Sequence, residues 1–109
     1  MEFEKEIITL LQKESLGEVK FINEDVLDSE PRKRLRNIYL KKAELLGNTY
    51  KGKVKIYFKN YLHQILAVET TIWFVNENHI SLKGGINIPT KSIVGIDFLI
   101  TSFGKSVFW

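Results

Sequence analysis

At Lys53 the spacing of apolar residues changes from the period of a helix to that of a strand, and this divides the chain into two kinds of structure. Val54, Ile56 and Phe58 alternate with Lys53, Lys55, Tyr57 and Lys59, the two-residue repeat of a strand with one face on a core and one basic, solvated face. Upstream, Leu35, Ile38, Tyr39, Leu45 and Leu46 fall within about one third of a helical wheel at 100° per residue, with Arg32, Lys33, Arg34, Arg36 and Lys41 over the remainder. Ser29 at the cap, Pro31 in the first turn and a Gly47-Asn48 stop bound this helix. Lys42 falls inside the apolar arc, where either its methylene stem runs along the face while the ammonium stays in water or the helix ends or bends earlier than Gly47.

A second helix is expected nearer the N-terminus. Phe3, Ile7, Leu10 and Leu11 recur at helical spacing, glutamates crowd the first turn, Lys13 lies in the last and Gly17 follows, so the pattern predicts an amphipathic helix over residues 2 to 15. A short apolar piece, Val19 to Ile22, and an acidic loop lead to the Ser29 helix.

Downstream of the first strand, a turn near Asn60 opens a long apolar segment, Leu62 to Val75, rich in β-branched and aromatic residues. A two-residue turn at Glu77-Asn78 sets Val75 opposite Ile80 and Trp73 opposite Leu82, which matches apolar faces. A three-residue Lys83-Gly84-Gly85 loop pairs Leu82 with Ile86 and Ile80 with Ile88, whereas a two-residue loop would set Lys83 against Ile86. Pro89 to Ser92 interrupts the ladder with a helical turn before Ile93, Val94, Ile96 and Phe98 form a last core strand. The tail from Phe103 to Trp109 is aromatic and packs back onto the fold or onto another copy.

At 109 residues the chain has room for one domain, spanning 1–109, with a helical part over 1–47 and a β part over 48–109. The class is α+β: two N-terminal helices, then a five-stranded, strongly bent antiparallel sheet or a small barrel. There is no cysteine, hence no disulfide, thiolate metal site or cysteine nucleophile. An acidic start and the lack of an apolar h-region argue against an export signal, and the Ile65 to Val75 window is about half the length of a membrane span. A cytoplasmic location is the expectation.

The formal charge of +3 hides strong segregation. Residues 1 to 31 carry three lysines against nine carboxylates; residues 32 to 59 carry ten basic residues against Glu44 alone; residues 60 to 109 hold three of each sign. A field of this kind either attracts an anionic partner or is neutralised within the molecule. Arg32, Lys33, Arg34, Arg36 and Lys41 on the helix, extended by Lys53, Lys55 and Lys59, form a candidate phosphate-binding patch. Tyr57 and Tyr61 beside Lys55 and Lys59 suggest a stacking platform for single-stranded bases. Asp25, Asp28 and Glu30 lack the spacing and central glycine of a calcium loop, and capping accounts for Asp28 and Ser29, so no metal is expected. His63 and His79 stand near turns without a recognisable nucleophile or phosphate-loop motif, so neither an enzyme nor a cofactor is expected.

The order of Val54-Lys55-Ile56-Tyr57-Phe58-Lys59-Asn60, the long apolar strand, His79-Ile80-Ser81-Leu82-Lys83 and Ile88-Pro89-Thr90-Lys91-Ser92-Ile93-Val94 resembles the Sm-like, SH3-like small β-barrel over residues 53–98. It is similar to the bacterial host-factor branch, whose members chaperone RNA as rings, and about equally to bacterial antiterminators that bind the Rho factor. The first resemblance implies a uridine-pocket lysine at Lys91, with Ser92 where that branch has histidine; the second implies no RNA pocket.

Two functional expectations follow. The first is a non-catalytic RNA or single-stranded nucleic-acid binder using Arg32, Lys33, Arg34, Arg36, Lys41, Lys53, Lys55, Tyr57 and Lys59. The second is a protein-interaction or homo-oligomeric module using sheet edges and Val107, Phe108 and Trp109, with the basic helix docked on the acidic segment.

Overall fold

The structure is a computed structural model that describes residues 8–99 and 107–109. The chain runs β1 (Thr9–Leu11), a 3-10 helix (Lys13–Glu18), α1 (Glu30–Tyr50), β2 (Val54–Lys59), β3 (Ile65–Thr70), β4 (Ile72–Val75), β5 (His79–Leu82), β6 (Asn87–Pro89), a second 3-10 helix (Thr90–Ser92), β7 (Ile93–Phe98) and β8 (Val107–Phe108). The α+β class holds, but the described residues contain one main helix, not two. Residues 2 to 7 of the expected N-terminal helix lie outside the described residues; 9 to 11 form a strand and 13 to 18 a 3-10 helix. Thr9 follows a β-branched isoleucine at position 8, and β1 lies parallel against the edge of β3, covering an edge that a helix would leave open.

A five-stranded sheet has the order β1-β3-β2-β7-β8 and a separate three-stranded sheet the order β4-β5-β6, so the strands do not close into a barrel. The expected long strand is cut at Thr71. The β2–β3 ladder ends at Val54 opposite Thr70, and β4 then pairs with β5. Thr71 is held between the sheets: its carbonyl accepts the Lys83 N–H at 3.0 Å and its hydroxyl donates to the Lys51 carbonyl at 3.5 Å.

The hairpins follow the turn chemistry. Val75 faces Ile80, Ile80 faces Ile88, and Leu82 N–H bonds the Ile86 carbonyl at 2.8 Å. Gly84 and Gly85 have φ of 95° and 81°, the left-handed region that glycine enters without steric cost. One pairing differs: Leu82 faces Ile72, not Trp73, because a register shift lies between Ile72 and Phe74.

In α1, Ser29 Oγ accepts the Arg32 N–H at 3.4 Å. The helix runs through Gly47-Asn48 and stops at Lys51, a left-handed residue at φ 55° whose N–H bonds the Gly47 carbonyl. Gly47 is therefore a point of close approach, not a terminator: a Cβ there would overlap the Ile72 carbonyl oxygen. The face turned inward is Arg36, Leu40, Ala43 and Gly47, with Tyr39 and Leu46 half-buried at its margin. Along one flank α1 supplies the hydrogen bonds that a neighbouring strand would give β4. Glu44 Oε2 accepts the Val75 N–H at 2.8 Å, Lys41 Nζ donates to the Val75 carbonyl at 3.0 Å, and Asn48 Nδ2 donates to the Trp73 carbonyl at 3.2 Å. An open strand edge is thereby capped by side chains.

The main core joins both sheets and α1 through Leu40, Val54, Ile56, Phe58, Val68, Ile72, Ile80, Ile88, Ile93 and Ile96. A second cluster of Tyr57, Ile65, Ala67 and Val94, with Ile8, Val26 and Phe108 against it, covers the other face of the five-stranded sheet. The expected basic, solvated face of β2 is therefore partly buried. Trp109 is buried beyond β8, its N–H on the Val94 carbonyl at 3.0 Å and its ring centroid 5.9 Å from that of Tyr39. Its indole Nε1 has no hydrogen-bond partner. Among the described residues no helix is long and apolar enough to cross a membrane.

Two substitutions test this packing. Gly47→Ala, which in an unconstrained helix stabilises by about 1 kcal/mol, is expected to destabilise here in urea unfolding because its methyl meets backbone. Trp109→Phe is expected to cost far less than Trp109→Ala, whose loss should be about 3 kcal/mol or more, since the ring is packed but the indole N–H makes no hydrogen bond.

Candidate interaction surface

The acidic loop before α1 and the first half of that helix neutralise each other. Asp25 receives both arms of the Arg36 guanidinium, Nη1 on Oδ1 and Nη2 on Oδ2, each at 2.9 Å. Its Oδ1 also accepts the Leu27 N–H at 2.9 Å. Arg36, only 5% exposed, directs Nη1 towards the Ile93 carbonyl at 3.5 Å as well. Lys33 lies 3.9 Å from Asp25 and 3.6 Å from Glu30, and Arg32 lies 3.5 Å from Asp28. The three carboxylates weighed as a metal cluster are thus counter-ions of Arg32, Lys33 and Arg36. Burial alone would raise the Asp25 pKa; the Arg36 and Leu27 hydrogen bonds and the charges of Arg36 and Lys33 outweigh it, and the net shift is downward.

This geometry redistributes the residues nominated for nucleic acid. Arg36 has its donors turned inward. Tyr57 is 5% exposed, its ring centroid 4.7 Å from that of Phe108 and 5.5 Å from Lys55 Nζ, so it offers no face to a base. Lys55 stands in register between Glu69 on β3 and Asp97 on β7, an opposite-charge arrangement that sheets favour. Lys41 is shared between Glu44 and the Val75 carbonyl. Arg34, Lys53 and Lys59 have no carboxylate within ion-pair distance among the described residues, but they are dispersed: Arg34 is on α1, Lys53 directly precedes β2 and Lys59 ends it. Lys53 lines a cleft of about 400 Å³ with Lys13, Lys83, Glu14 and Glu69, whose mixed signs offset one another.

Val107, Phe108 and Trp109, nominated for an intermolecular contact, lie within the molecule: Phe108 pairs with Gly95, Val107 with Ile96, and Trp109 is buried. Phe103 to Ser106 fall outside the described residues. Ser92, beside the Lys91 of the barrel resemblance, is buried and donates to the Pro89 carbonyl at 2.7 Å. His63 sits in a turn at φ 63° and His79 pairs with Pro89 in β5.

What remains open is a surface that the helical wheel assigned to the core. Leu35, Ile38 and Leu45 are 43, 53 and 67% exposed on the side of α1 opposite its packed face. With Arg34, Asn37, Lys41 and Lys42 they line a shallow groove or flank it. The signal available in the sequence was Lys42 inside the apolar arc. Its Nζ stands 5.4 Å from the Tyr39 ring centroid, a cation at the boundary between the packed and open faces.

Comparison with protein-family models, with curated proteins and with solved structures finds no match for this chain.

Asp25→Ala, which strands the buried Arg36 charge, is expected to cost about 3 kcal/mol in denaturant unfolding. Because the folded pKa of Asp25 lies below its unfolded value, its contribution is complete above about pH 4 and is lost as pH falls through the folded value. The acid-side decline in stability should therefore be shallower in Asp25→Asn than in wild type.

Proposed function

We propose that this domain is a non-catalytic binding module that engages another protein through the outer face of α1. The observation that carries this reading is the set of exposed aliphatics Leu35, Ile38 and Leu45 on a helix whose opposite face is already packed. A helix that has satisfied its own domain and still presents aliphatic anchors leaves apolar area in water that only a partner removes. The ion pairs with Asp25 and Asp28 support a protein partner over nucleic acid, because they engage three of the helix cations on which phosphate binding would draw. A binding role in place of catalysis rests on the sequence, where neither His63 nor His79 accompanies a catalytic motif. The absence of cysteine fits a cytoplasmic setting.

A second reading, binding of RNA or single-stranded nucleic acid, is supported by Arg34, Lys53 and Lys59, which no described carboxylate neutralises.

Fluorescence anisotropy with mixed-sequence single-stranded RNA separates the two. Three single-strand phosphate contacts, from these residues, would lose roughly twentyfold in affinity between about 50 and 200 mM salt; the proposed reading expects no tight binding at the lower salt. Ile38→Glu combined with Leu45→Glu is expected to leave unfolding stability within about 0.5 kcal/mol, since both side chains are exposed. The same pair should abolish in-cell photo-crosslinks formed from position 37. An unchanged crosslink pattern would remove the proposal.

A further inference from the structure

From the exposed residues of α1 we infer that the partner is an acidic amphipathic helix that packs along α1 in a two-heptad coiled-coil seam; this rests on the protein-binding reading above. Leu35, Ile38, Lys42 and Leu45 are spaced 3, 4 and 3 residues apart, the a-d-a-d repeat of a seam that accepts knobs from a facing helix. All four are exposed, as are Arg34 and Lys41, which precede the two a positions and so occupy g positions beside the seam. The seam therefore carries three aliphatic anchors, Lys42 at its centre and Arg34 at its margin; the second margin cation, Lys41, is exposed but shares its charge with Glu44.

That charge pattern selects the occupant. A parallel second copy would set Lys42 against Lys42 at the centre of the contact, and an antiparallel copy would bring Arg34 of one chain beside Lys41 of the other. Like charges in both arrangements oppose self-association. A helix with aliphatic a and d residues, a glutamate facing Lys42 and glutamates facing Arg34 removes both conflicts at once. Nucleic acid is disfavoured because the exposed residues between the cations, Leu35, Asn37 and Ile38, offer no ring for a base, and the neighbouring Tyr39 ring is half-buried with Lys42 over it. A membrane surface is disfavoured because Lys42 interrupts the apolar stripe and no tryptophan or phenylalanine lies on it. Because α1 is already folded against β4 and β7, only the incoming segment has to be ordered on binding.

The probe is a synthetic 21-residue peptide with leucine at a and d, glutamate at e and g, and glutamate at the core position facing Lys42, titrated into the ¹⁵N-labelled full chain. The expected result is amide shifts centred on residues 34 to 45, a gain of peptide helicity, and weaker binding at higher salt. Arg34→Glu with Lys42→Glu, both exposed, should weaken that binding at least tenfold and transfer preference to a peptide carrying lysine in place of glutamate. Absence of binding at about 1 mM peptide, equal binding of the lysine peptide to wild type, or indifference to the double reversal would overturn the inference. If the acidic peptide fails while Ile38→Glu with Leu45→Glu still abolishes the crosslinks, the partner class is wrong and the interaction surface stands. Binding of phosphatidylserine vesicles through these residues, with no peptide binding, would overturn both.

Discussion

The bidentate Asp25–Arg36 pair is the interaction on which the rest of the arrangement depends. A guanidinium placed on the packed face of a helix is costly unless its charge and its planar set of donors are both satisfied. Asp25 satisfies them from a loop 11 residues earlier in the chain. The loop is in turn fixed by the Leu27 N–H on Asp25 and by the Val26 N–H on the Lys91 carbonyl at 2.9 Å. Leu27 and Val26 are thereby delivered to the two apolar clusters, Val26 touching both. One ion pair thus sets the angle at which the N-terminal part meets α1 and β7. It also explains the charge segregation: acidic and basic segments adjacent in sequence become counter-ions in space, so the field of residues 32 to 59 is partly spent before any partner arrives.

A second constraint is the open edge of β4. Lys41, Glu44 and Asn48 bond to it from the helix flank, and the smallest residues of the helix, Ala43 and Gly47, face inward where its backbone passes Ile72. Close approach to a strand edge requires small residues on the contact face, and the large aliphatics are displaced around the wheel. Amphipathicity measured on the sequence therefore points to the wrong side, because the wheel weights Leu35, Ile38 and Leu45 above Ala43 and Gly47.

The β part was legible where information is local. Alternation in β2, the Glu77-Asn78 turn, the Lys83-Gly84-Gly85 loop and the Pro89–Ser92 interruption all depend on residues within a few positions of one another, and their registers follow. Illegible features were set by distant partners: β1 in place of a helical turn, because β3 needs an edge neighbour; the crossing at Thr71, held by Lys51 and Lys83; and the bulge near Trp73, whose carbonyl is taken by Asn48. The candidate site divides the same way. That a cationic helix exists can be read from the chain, but which cations are free depends on ion pairs with Asp25, Asp28 and Glu30 and on the cross-strand neighbours of Lys55.

The outward apolar face then follows from these internal demands. Once Arg36 is committed to Asp25 and Lys41 and Glu44 to β4, α1 is locked in rotation about its axis, since a turn of one residue would strand a buried charge and uncap two strand groups together. Leu35, Ile38 and Leu45 cannot relieve their exposure by rolling inward, and no described element of the chain packs over them. Fixed polar contacts inside and unrelieved apolar area outside are the condition under which a partner gains most from binding, because the surface is already held in the form it would recognise.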